Sequence, residues 1–156
     1  MTEQETRIGI IAVGNEMRRD DGAGIIAGRA LAHEPLPDSV SVLDGVRGGV
    51  ELLAEVEGLE CVVILRAAEM GAAPGTVLVR SLAEFEEEQG TADASSMPLS
   101  DLFELAGLAG AAPEVHVVAV QPAEIAPGSG LSLEVGRAIA RMVADAKALA
   151  ERLAVR

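Results

Sequence analysis

Short aliphatic runs alternate with longer stretches of helical periodicity, and that alternation restricts the chain to a mostly parallel sheet covered by helices. From Arg7 to Val13 nearly every residue is apolar, the pattern of a central strand buried on both faces. Gly14-Asn15 ends that run. Between Gly22 and Ala32, the residues Ile25, Ile26, Ala30 and Leu31 recur at helical spacing, and Pro35 and Pro37 close the helix. Further strands are predicted at 40–43, 61–65, 76–79 and 114–120. Helices are predicted at 48–56, 98–109 and about 131–153, the last opened by Ser129 or Ser132 as its cap. The order β-α-β-α-β-β-α-β-α predicts an α/β fold in which a sheet of about five strands lies between helical layers. At 156 residues the chain has room for one such domain, taken here as 1–156. The acidic segment 80–96 reads as a loop.

The core has to be built from Val, Ile, Leu and Ala, because Phe85 and Phe103 are the only aromatic residues in a chain that is 49% hydrophobic. That argues against stacking platforms for bases or sugars. A net charge of −13 repels phosphate backbones and anionic membranes, so neither is an expected partner, whereas a basic peptide segment is compatible with it. Cys61 is the single cysteine and lies in the apolar run 61–65, where a buried, inert thiol is expected. No apolar run approaches the ~20 residues that span a bilayer. The polar start, 1–7, leads straight into a strand rather than forming a secretion signal. The cytoplasm is the expected location.

In an open parallel sheet, ligands bind beyond the carboxyl ends of the strands. The segment Gly14 to Gly24 occupies such a place, with Asp20 and Asp21 among three glycines. It has neither the dinucleotide-binding glycine spacing nor a Walker lysine. On composition alone, both acids read as negative charge at a helix N-terminus, with metal binding as the other reading.

The same residues carry a family resemblance. Gly14-Asn15 followed by Asp20-Asp21-Gly22-Ala23-Gly24 resembles the opening motif of the nickel-iron hydrogenase maturation proteases (peptidase family M52). So do Leu43-Asp44-Gly45 with 49–53, Gly71 to Thr76, Leu99 to Leu102, and Gln121-Pro122 with 131–135, in register from residue 8 to about 150. The resemblance implies a three-layer α/β/α sandwich around a twisted sheet. It also implies an endopeptidase that recognises nickel in the precursor of a hydrogenase large subunit and removes its C-terminal extension. No resident cofactor is implied; the nickel belongs to the substrate.

Of the three implied nickel-contact positions, the first is Asp21. Arg66 stands at the second, where the family has Asp, and Ser95 or Ser96 near the third, where it has His. A guanidinium repels a cation, so Arg66 is expected to pair with Asp21, with Glu69 as its other partner or as a substitute oxygen ligand. The expected catalytic residues are Asp21 and Glu69. Gly14, Asn15, Asp20, Asp44, Arg66 and Ser95 are expected to bind substrate. Two other readings remain open: a relative that grips a large subunit or its tail without cutting, and an unrelated small-molecule enzyme on the same scaffold. His33, at a helix C-terminus, and His116, within a strand, lie at neither position.

Overall fold

The computed structural model describes residues 6–44, 58–89 and 113–155. Five strands, β1 (Ile8–Ala12), β2 (Val40–Asp44), β3 (Cys61–Ala67), β4 (Val77–Ser81) and β5 (Glu114–Val120), form one sheet in the order β2-β1-β3-β5-β4. β1 runs parallel to β2 and β3, and β3 parallel to β5. β4, on the edge, is antiparallel to β5. The mostly parallel five-stranded sheet expected from the sequence is therefore present, and β4 reaches two residues further than predicted.

Helices α1 (Ala23–Ala32) and α3 (Leu133–Ala154) pack on one face of the sheet against Ile8, Ile10, Val63, Leu65, Val118 and Val120. α3 presents Val135, Met142, Leu149 and Leu153 to that layer, close to the predicted stripe. Each such fully buried aliphatic side chain contributes roughly 1.5–3 kcal/mol. Ser132, not Ser129, is the cap of α3: its hydroxyl accepts the Val135 N–H at 3.3 Å.

The second face is covered by α2 (Leu82–Gln89), which packs Phe85 against Ile11, Val62, Ile64, Val117 and Ala119. This helix and the end of β4 correct the loop expected across 80–96 as far as Gln89; 90–96 lie outside the described residues. The cause of the helix is local. Ser81 accepts the Glu84 N–H at 3.2 Å and Glu84 accepts the Ser81 N–H at 3.1 Å, a reciprocal capping box. Leu82 and Phe85, three apart, then share the buried side. Those hydrogen bonds hold the Glu84 carboxyl below its ordinary pKa. The predicted helices at 48–56 and 98–109 lie outside the described residues, as does Ser95.

Candidate active site

Strand order reverses between β1 and β3: the chain leaves β1 for β2 on one side, whereas β3 lies on the other. Such a reversal opens a crevice at the carboxyl ends of the two strands. Two connections border it, 13–22 after β1 and 68–76 after β3.

The first connection is fixed by close packing of its backbone. Gly14 has φ 143°, and a side chain there would collide with the Asp21 carbonyl. Asn15 stabilises the turn twice over: its Oδ1 accepts the Met17 N–H at 2.9 Å and its carbonyl accepts the Arg18 N–H at 3.1 Å. A 3-10 turn follows at Arg19–Gly22 and runs directly into α1. Gly24 lets this helix start against the sheet, since a methyl group there would strike the Leu65 carbonyl and lie 2.5 Å from that of Val13.

Asp20 and Asp21 separate in this turn. Asp20 is fully buried, with 0% exposure. Its carboxylate accepts the N–H groups of Ala123 and Glu124, both at 2.9 Å, and the Ser132 N–H at 2.7 Å and hydroxyl at 2.9 Å. Burial by itself raises the pKa of this carboxyl. The donors from Ser132, Glu124 and Ala123 outweigh that effect and hold it below the ordinary value. Asp20, expected to bind substrate, instead has its carboxylate engaged in four hydrogen bonds that tie the β1 loop to 123–124 and the start of α3.

Asp21 is half-buried and turned toward the loop it closes. Its Oδ2 accepts the Asn15 N–H at 3.0 Å. Among the described residues its other oxygen carries no hydrogen bond. Gly14, Asn15 and Asp21 are thus brought together in one turn. Asp44 ends the neighbouring strand, in register with Ala12.

Arg66 and Asp21 form no ion pair, contrary to the expectation. Side chains alternate along a strand. Leu65 and Ala67 face the α1–α3 layer, so Arg66 faces the α2 layer. There its guanidinium lies 5.6 Å from the centroid of the Phe85 ring, and its Nε donates to the Ala67 carbonyl at 3.2 Å. Asp21, leading into α1, belongs to the other side of the same sheet edge.

Glu69 does not pair with Arg66 either. Its Oε1 accepts Gln121 Nε2 at 2.8 Å and the Gly71 N–H at 3.2 Å. Gln121 is a positioning residue that sequence reasoning took only as part of a motif. Buried to 3% exposure, it accepts the Met70 and Ala72 N–H groups at 2.7 and 3.3 Å and so shapes the second connection. The signal was a lone amide directly after an apolar strand, where a buried polar side chain has to find backbone partners.

Among the described residues, no three His, Cys, Asp or Glu side chains converge to hold a metal. His33 caps the C-terminus of α1. His116, in β5, lies 3.3 Å from Glu114 and lines a groove of about 380 Å³ at the opposite end of the sheet with Arg80 and Arg152. Cys61 is buried, as its apolar run predicts.

A family model described as hydrogenase maturation protease (HycI) matches residues 27–149. The hydrogenase expression/formation protein HupM of Azotobacter chroococcum mcd 1 is 32% identical over 142 residues, covering 88% of this chain and 68% of that protein. HoxM of Azotobacter vinelandii is 30% identical over 133 residues, covering 83% of this chain and 64% of that protein. The chain thus spans about two thirds of these relatives. Among solved structures, the hydrogenase maturating endopeptidase HybD of Escherichia coli superposes with a TM-score of 0.83 at 27% identity, covering 94% of this chain and 93% of that one. The HybD protease of Thermococcus kodakarensis gives 0.77 at 32% identity, covering 92% and 99%. The family model, the relatives' sequences and the superposed structures agree: this chain belongs to the hydrogenase maturation protease family.

Proposed function

We propose that this protein is an endopeptidase that removes the C-terminal extension from the precursor of a hydrogenase large subunit, acting in the cytoplasm on a precursor that already carries nickel. Family membership supports the reaction class. The observation that carries the reading is the Asp21 carboxylate, held by a hydrogen-bonded loop at the switch-point crevice with one oxygen uncommitted among the described residues.

In this reading that oxygen contacts the nickel brought by the precursor, a Lewis acid that polarises the neighbouring carbonyl. Glu69, whose Oε2 carries no hydrogen bond among the described residues, holds the attacking water. Gly14 and Asn15 fix the loop, and Asp44, Arg66 and Ser95 contact the substrate. The other reading, a relative that grips the large subunit or its tail without cutting, rests on Arg66 and Ser95 standing at nickel-contact positions; the family's reaction class favours the endopeptidase over it.

The test is incubation of the full chain with nickel-loaded and nickel-free precursor, followed by intact-mass measurement. Loss of the extension from the nickel-loaded form alone is the expected result. A precursor that keeps its full mass in both conditions overturns the proposal.

A further inference from the structure

Four large apolar side chains stand exposed among the described residues: Met17 at 68%, Ile125 at 39%, Leu133 at 66% and Val155 at 84%. Three of them surround the Asp20 clamp. Met17 lies in the loop whose carbonyl accepts the Gly128 N–H at 2.9 Å. Ile125 follows Glu124 and Leu133 follows Ser132, and both Glu124 and Ser132 donate to the Asp20 carboxylate. The start of α3 also abuts the second connection, because a side chain on Gly75 would come within 2.8 Å of the Glu134 carbonyl. Exposed apolar residues carried on adjoining backbone segments are the kind of surface that marks an interaction site, whereas isolated ones need no explanation. Here a buried carboxylate with four hydrogen bonds fixes the segments that carry it, so the surface is rigid before any partner arrives.

We propose that Met17, Ile125 and Leu133 form the docking surface for an extended segment of the large-subunit precursor that carries apolar and cationic side chains. The apolar side chains match the three exposed residues. The charge follows from the surroundings: Arg19 lies 4.0 Å from Glu124, and Arg18 and Arg137 are outnumbered by Asp21, Glu69 and Glu134, in a chain whose net charge is −13. An acidic segment is repelled and a cationic one is attracted. The inference rests on the proteolytic reading, since it seats the segment beside Asp21.

The test is binding of immobilised nickel-loaded precursor by the full chain, with cleavage followed separately by mass. Because Met17 and Leu133 are exposed, Met17→Ser combined with Leu133→Ser leaves the fold intact, checked by circular dichroism. The double variant is expected to bind at least tenfold more weakly, and raising salt from 50 to 500 mM to weaken wild-type binding severalfold. Equal binding by variant and wild type, or no binding by wild type, overturns the docking surface. Wild type that binds through these residues yet never cleaves keeps the docking surface and overturns the proteolytic reading. A wild-type dimer that the double variant dissociates, seen in sedimentation, assigns the surface to a second copy of the chain and also overturns the proposal.

Discussion

Two adjacent aspartates divide the work at the crevice. Asp20 spends its carboxylate on the backbone of 123–132, and one Asp21 oxygen carries no hydrogen bond among the described residues. Nothing in the dipeptide distinguishes them; the distinction comes from Ser132, 112 residues along the chain, which sequence spacing does not bring near. Asp20→Ala leaves several buried N–H groups without an acceptor, so it is expected to destabilise the fold by about 3–5 kcal/mol in urea unfolding. The charge also sets a pH dependence. The Asp20 pKa is lowered by folding, so its contribution is complete above the ordinary value of 3.8. It is lost as pH falls from there through the lowered value. Wild type should therefore lose stability below about pH 4 more steeply than Asp20→Asn; parallel acid profiles for the two would refute this role.

At the scale of elements, the strands were legible because each is a compact apolar run, and α1 and α3 because their apolar residues recur at helical spacing. α2 escaped notice because its acidic residues hide a single buried aromatic, although Ser81-x-x-Glu84 was a readable start signal. The direction of Arg66 was not legible. β3 is apolar on both faces, so its alternation cannot be read from hydrophobicity until α1 is seen to choose a face. The junction of β1, β3 and α1 depends on Gly24, whose position was read as a motif and whose physical reason is contact with two carbonyls. Gly24→Ala is expected to cost about 2 kcal/mol or more, because backbone on both sides leaves no room to relax. A melting temperature unchanged within error would show that α1 can move away from the sheet.

For the whole molecule, strand order decides where chemistry can occur. The reversal between β1 and β3 places the two connections side by side. The Asp20 and Gln121 hydrogen bonds then hold each of them to the segment that follows β5. Sequence alone supplied the sheet, the family and the loop carrying Asp21. It could not supply the inward turn of Asp20 or the exposed Met17, Ile125 and Leu133, because these depend on where the 123–132 segment crosses the β1 loop. The central claim is that Asp21 is the catalytic contact. It is tested most directly by the single-turnover cleavage rate of nickel-loaded precursor by Asp21→Ala beside wild type, with urea unfolding of both proteins. The account predicts a rate at least a hundredfold lower. It also predicts a stability change of no more than about 1.5 kcal/mol, the contribution of one hydrogen bond. Cleavage by Asp21→Ala at the wild-type rate would contradict it.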